Sequence, residues 1–298
     1  MKKRILAVII AAVAACIGMF AALNHFETTP PGIAGKTAQK MQALQSVTGE
    51  LTVDYDGTIS YMGISGEIGI NADLEVQMLT GENLKSHETG TVTVSALGFS
   101  YPVALENYAL QEGDGFTSYT NLQKGKWLRH QQTGTESETT ESFDSTKFVF
   151  GMIQKIMQGE IKAEASKETE MLGDQEVRRM DIAISGPALQ ELVKSVAESG
   201  KFDLPADLDL SESSADITVY VDAKSGRPAE FRFDCTALGN VLIKHMTGNQ
   251  DWDGEAKAFI LTFHFDEFDT LDSMEVPAHV TENAIDVDHL NILDGILG

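Results

Sequence analysis

The chain has 298 residues, 42% of them hydrophobic, which is enough to bury a real core as one large domain or two smaller ones. Its 22 lysines and arginines stand against 45 aspartates and glutamates, a formal net charge of −23. A field of that sign repels phosphate backbones and disfavours flat docking on anionic headgroups, so nucleic acid is excluded as a partner, while a well-solvated surface and divalent cations remain compatible.

At the start of the chain, Lys2, Lys3 and Arg4 precede an uncharged run from Ile5 to Leu23. A basic start before an apolar stretch is an export signal whose positive end stays inside. As a helix rising ~1.5 Å per residue the run is about 28 Å long, close to the hydrocarbon thickness, so residues 1–23 can persist as a signal anchor. Val13-Ala14-Ala15-Cys16 also resembles a bacterial lipobox, in which Cys16 would be lipidated and become the new N-terminus. Ile17, Met19 and Phe20 depart from the polar tether that normally follows such a cysteine. Cleavage as a plain signal peptide is the third route, although no clean A-x-A site precedes a polar stretch. Residues 24–36, with Thr28-Thr29-Pro30-Pro31-Gly32, read as a short linker off the membrane.

The folded part is expected over residues 37–280. Thr37 to Val47, with Met41 and Leu44, reads as a short helix. The period then changes to two. Leu51, Val53, Tyr55 and Ile59 alternate with polar residues, and Ile68, Ile70, Ala72, Leu74, Val76 and Met78 do so without a break. Strict alternation is the pattern of a strand with one wet face. Val92, Val94 and Ala96 continue it, and Phe116–Leu122 with Trp127–Gln131 read as a hairpin around Lys124-Gly125. Thr133 to Glu141 is a polar loop. Further alternating strands are expected around Met180–Ile184, after a turn at Leu172-Gly173-Asp174, and around Ile217–Val221, Ala229–Cys235 and Phe259–Phe265. Two segments carry the helical period instead. One is Val149, Met152, Ile153 and Ile156; the other is Leu189, Leu192, Val193 and Val196, opened by Gly186-Pro187 and closed by Gly200.

Alternating βαβ units are absent from this order, so the fold class expected is α+β: a large antiparallel sheet with helices on one face, following an N-terminal membrane segment. Cys16 and Cys235 imply no disulfide framework, because Cys16 sits in the apolar run and Cys235 follows Phe231 and Phe233 at period two as a small buried hydrophobe.

Two late motifs carry a resemblance. Val219–Pro228 reads strand, turn, G-x-P, strand, and Met274–Val280 closes the last strand with Pro277. This pair resembles the LolA/LppX-like superfamily of extracytoplasmic lipoprotein carriers and lipid-binding lipoproteins, and is similar to its uncharacterised Gram-positive-type lipoproteins. The resemblance implies a curved antiparallel half-barrel whose concave apolar face is capped by helices and, in relatives, holds acyl chains. Residues 281–298 run past the family's usual end, with a helical stripe of Ile285, Leu290, Leu293 and Leu297.

From the residues themselves, the apolar face expected to line such a space comprises Leu74, Val76, Met78, Met152, Ile156, Leu189, Leu192, Val196, Phe231, Phe233 and Phe263. The methionines among them could adapt to an irregular chain. The same residues could equally form an ordinary packed core. No catalytic set, cofactor site or metal site is expected. Asn249–Glu255 resembles the opening of a calcium loop, but Ile260 occupies the position of the bidentate glutamate, and an Asx-rich turn fits better. The seven histidines form no H-E-x-x-H or Cys/His cluster, and no G-x-S-x-G elbow or Walker loop is present. Trp127 and Trp252 fit packing at strand ends better than sugar platforms. The function expected is that of a membrane-anchored, non-catalytic binding protein on the extracytoplasmic face of the cell membrane, holding a lipid or other hydrophobic ligand between sheet and helices. The alternative is an acidic surface module for a protein partner or cations.

Overall fold

The computed structural model describes residues 44–62, 64–80, 84–112, 115–121, 126–132, 155, 161–199, 208–247 and 252–286. The expected membrane segment with Cys16, the linker, residues 37–43 of the first expected helix, Met152, Ile156 and the end of the tail lie outside the described residues. Among the described residues no helix is long and apolar enough to cross a membrane.

Strands dominate. They are β1 (Ser46–Tyr61), β2 (Ile64–Leu79), β3 (Lys85–Ala96), β4 (Phe99–Glu112), β5 (Gly115–Asn121), β6 (Trp127–Gln132), β7 (Lys162–Ala165), β8 (Glu170–Leu172), β9 (Gln175–Ser185), β10 (Ser214–Asp222), β11 (Pro228–Asp234), β12 (Trp252–Phe268) and β13 (Ile285–Asp286). Among the described residues the helices with given bounds are α1 (Gly186–Ser199), α2 (Thr236–Thr247) and α3 (Ala278–Asn283). The thirteen strands of the described residues join one open sheet in the order β13-β6-β5-β4-β3-β2-β1-β12-β11-β10-β9-β7, with β8 paired to β9. Every pairing is antiparallel except that of β13 with β6. The long central trio β2-β1-β12 follows from the uninterrupted alternation of its sequences. Bulges where β1 meets β12 interrupt the register at Thr48/Gly49 and Asp56/Gly57 and locally increase twist.

The alternating residues fall on one face and line up across strands. One cross-strand row runs Val103, Val92, Ala72, Val53, Leu261, Phe233, Ile217, Ile182 and Ala163, from β4 to β7. The adjacent row runs Leu105, Gly90, Leu74, Leu51, Phe263, Phe231, Val219, Met180 and Ala165. Such neighbours stand ~5 Å apart, which makes each row a continuous apolar contact. Gly90 is required in its row, because a Cβ there would lie 1.9 Å from the Asp73 carbonyl oxygen. Ala188 and Leu189 of α1 and Leu238 of α2 belong to the same buried cluster as these strand residues.

The hairpins β5–β6, β8–β9 and β10–β11 and the helix α1 stand where the sequence places them. Four expectations differ. The segment read as helix up to Val47 is strand from Ser46 onward, because Val47 pairs with both Met78 and Phe268. Val280 closes no strand: Pro277 precedes α3, whose Val280 is fully buried against Tyr108, Tyr119 and Trp127. Ile285 and Asp286, read as part of the tail, pair with Leu128 and Arg129, and both Asp286 carboxylate oxygens accept from the Arg129 guanidinium. Finally, α2 has no forecast in the sequence. Its Gly239-Asn240 and its β-branched residues are weak helix formers, and tertiary bonds hold it. The Asn240 amide nitrogen donates to the Ala256 carbonyl at 3.0 Å and its oxygen accepts from Ala256 N at 2.8 Å. Phe259 N donates to Thr236 Oγ1 at 2.9 Å.

Leu261, 1% exposed at the centre of the longest row, is a direct probe of this core. Leu261→Ala should cost about 2–5 kcal/mol. Urea unfolding should show a lower midpoint with an unchanged slope.

Candidate functional site

The surface that could accept a ligand is the apolar face of the sheet. Over β9–β12 it is closed: Ile184, Met180 and Leu261 are at most 1% exposed, with α1 on β9 and β10 and α2 on β12 and β10. Over β2 and β3 the cover of the same face is uneven: Ala72, Val76 and Met78 of β2 are buried. Ile68, Ile70 and Leu74 of β2 and Val92 and Val94 of β3 are all only partly buried. The aromatic end of the face is built by Phe263, Phe265, Phe231 and Phe268, whose rings meet at centroid separations of 4.7 to 5.7 Å, with the Arg227 guanidinium 5.0 Å from the Phe268 ring.

Of the lining residues named from sequence, Val76, Met78, Leu189, Phe233 and Phe263 are in one buried cluster, with Leu74 and Phe231 packed against it. Leu192 and Val196 lie on α1, but their side chains, like Met152 and Ile156, are outside the described residues. Lys155 is helical and its ammonium lies 2.8 Å from Glu191 of α1. Cys235 is 6% exposed, and burial pushes its thiol up to about 12. Trp127 packs in a small second cluster with Tyr108, Tyr119 and Val280 on the opposite face. The residues following Asp251 open β12 directly, and Asp253 Oδ1 accepts from Gly254 N at 2.9 Å. Among the described residues, no group of three His, Cys, Asp or Glu side chains is placed to hold a metal ion.

One polar element was not forecast. Counting back from Val94 and Val92 at period two places Gly90, Glu88 and Ser86 on the apolar face, so the inward carboxyl was readable once that strand was extended toward its start. Glu88 stands directly across from Val76 on one side and Asn107 on the other. The Asn107 amide donates to Glu88 Oε2 at 2.6 Å, and Thr120 Oγ1 donates to Asn107 Oδ1 at 2.7 Å. Ser86 also hydrogen-bonds the carboxyl. Burial pushes the Glu88 carboxyl above its ordinary range, outweighing the Ser86 and Asn107 hydrogen bonds and the nearby His87, which lower it. The face therefore changes along the sheet from hydrocarbon over β9–β2 to a carboxyl–amide–hydroxyl chain across β3, β4 and β5. Such a surface matches an amphiphile with a long apolar body and a hydrogen-bonding end.

No protein-family model matches the chain, and no curated protein matches its sequence. Solved structures do. The chain is similar to the Mycobacterium tuberculosis lipoprotein LppX at 12% identity, with 82% of this chain and 96% of that chain covered and a TM-score of 0.38. It is similar to a β-barrel-like protein of a domain of unknown function from Brucella abortus at 12% identity, covering 77% of this chain and 100% of that chain, with a TM-score of 0.24. An outer membrane lipoprotein-sorting protein domain from Vibrio parahaemolyticus matches at 12% identity over 78% of this chain and 90% of that chain, with a TM-score of 0.21.

A raised carboxyl binds its proton more tightly folded than unfolded, so its contribution favours the fold at low pH and is lost as pH rises through the folded value. Glu88→Gln should therefore raise the melting temperature at neutral pH. The gain over the parent should shrink as pH falls through the raised folded value and be gone below the ordinary carboxylate range, where both side chains are neutral. Thermal unfolding of both proteins across that pH range checks this.

Proposed function

We propose that this protein holds a lipid or another hydrophobic ligand against the apolar face of its sheet, at the extracytoplasmic side of a membrane to which its N-terminal segment tethers it. In this reading the sheet curves as a half-barrel, α1 and α2 roof part of its inner face, and the ligand lies where that roof leaves β2 and β3 less covered. The role is binding and carriage without catalysis.

The single observation that supports the reading is the mismatch between the length of the apolar rows and their cover. The row through Leu261 spans nine strands; its Ala72 and Val103 are buried, yet Val92 in it and Ile68, Ile70, Leu74 and Val94 beside it keep part of their surface. A wholly internal core would bury both halves alike, because apolar area left in water forgoes about 25 cal/mol per Å². Tethering rests on the basic-then-apolar start and on Cys16, which is where a lipid anchor would be attached.

Purification of the full chain from membranes, followed by solvent extraction and mass spectrometry of the lipids carried along, tests the site. Lipid associated with the N-terminal segment is subtracted by comparison with Leu74→Glu, which places a charge on the partly buried floor and leaves that segment unchanged. The parent should carry a lipid species in near-stoichiometric amount, and the variant should carry several-fold less of it. Equal lipid content in both, with both folded by circular dichroism, would contradict the proposal.

A further inference from the structure

Six large hydrophobic side chains are exposed among the described residues, and four of them gather at one end of the sheet: Met62 (70%), Leu97 (69%), Phe99 (81%) and Tyr101 (53%). Met62 follows β1 and Leu97 follows β3, so both hairpin tips point the same way. Leu97 N donates to the Glu67 carbonyl at 3.2 Å, and the Leu97 side chain lies over Gly66, where a Cβ would come within 2.3 Å of it. The two tips thus form one patch. Trp252, opposite Tyr61 in the register, begins its strand at the same end.

Two further features separate this end from chance exposure. Met62 and Leu97 have φ of 49° and 53°, and Gly98 follows at 81°. Two-residue hairpins of this kind favour Asn-Gly, because an L residue with a large side chain is strained at positive φ. Apolar residues there work against the fold, which points to a use for them outside it. Charge is also missing from the two tips themselves. In a chain in which 22% of residues are charged, Gly57–Gly66 and Thr89–Leu105 contain none. An acidic body is repelled by an anionic membrane; the two tips present hydroxyls, aromatic rings and aliphatic groups, the chemistry of the lipid interface, with Asp253 and Glu255 of β12 set back across from Ser60 and Thr58.

We infer that the paired tips of β1–β2 and β3–β4 dip into a lipid bilayer surface. The tether permits it. Sixteen-residue β1 spans about 53 Å from Ser46 to the tip. The stretch between Leu23 and Leu44 can reach at most about 70 Å when extended, so a chain anchored at Ile5–Leu23 can still lay its far end on the same membrane. The inference stands independently of whether the sheet carries a ligand.

The test uses the full chain with liposomes of phosphatidylcholine and phosphatidylglycerol in which part of the lipid is brominated. Phe99→Trp reports from the tip. Met171→Trp, exposed beside the β8–β9 turn at the opposite end of the sheet, is the reference. Relative to the parent's own tryptophans, Phe99→Trp should add emission that is blue-shifted and quenched by the brominated lipid, while Met171→Trp adds unquenched emission. Adding Met62→Asn and Leu97→Asn to Phe99→Trp should abolish most of that quenching and at the same time raise the melting temperature, since Asn suits both turns. Absence of quenching at Phe99→Trp, equal quenching at both positions, quenching that survives the two asparagines, or a blue shift arising from a dimer in lipid-free solution would each overturn the inference.

Discussion

The pairing of β1 with β12 on one side and β2 on the other is the constraint on which everything else rests. A strand's side chains alternate between faces, so a slip of one residue anywhere in this trio would move every apolar side chain of the slipped strand to the wet face. Leu51 and Val53 sit between Phe263 and Leu261 on one flank and Leu74 and Ala72 on the other, and this fixes the parity of the rest of the sheet. The rows then extend outward from the trio by adding strands, toward β7 on one side and β4 on the other. Gly49 and Gly90 mark where backbones must come close for that to happen: a Cβ on Gly49 would lie 2.2 Å from the His264 carbonyl oxygen.

The two halves of the face are used differently. Toward β9 its side chains are buried, and α2 is bonded through Asn240 and Thr236 to the backbone of β12. Toward β3 and β4 it carries a carboxyl, an amide and hydroxyls bonded to one another. A carboxyl on a mostly apolar surface is costly unless its oxygens are satisfied, and Ser86 and Asn107 do that for Glu88. This polar end is what gives the proposed ligand face a direction.

The parts most easily read from the chain were those with one buried and one solvated face. The strand Ile64–Leu79 and the hairpin Val219–Phe233 alternate cleanly because solvent takes one side of each. The strand Phe99–Glu112 did not stand out because both of its faces are partly buried: Val103 and Ala109 face one way, while Tyr108 packs with Trp127 and Val280 on the other. Burial on two sides erases the period that a reader of sequence relies on. Glu88 was legible in principle, since the parity of Val92 and Val94 already points it inward.

By itself the sequence determined the excess of acidic side chains, the antiparallel class and which face of most strands is apolar, because each of these is set by composition or by the two-residue period of a strand. Only the tertiary structure decided that Thr236–Thr247 is a helix, that Val280 is buried in a helical turn, that Glu88 joins Asn107 and Thr120, and that Met62 and Leu97–Tyr101 meet at one exposed end. Those features depend on contacts between residues far apart in the chain. Hydrogen bonds from a neighbouring strand can outweigh weak helix propensity, and no local pattern records which hairpin tips will stand side by side.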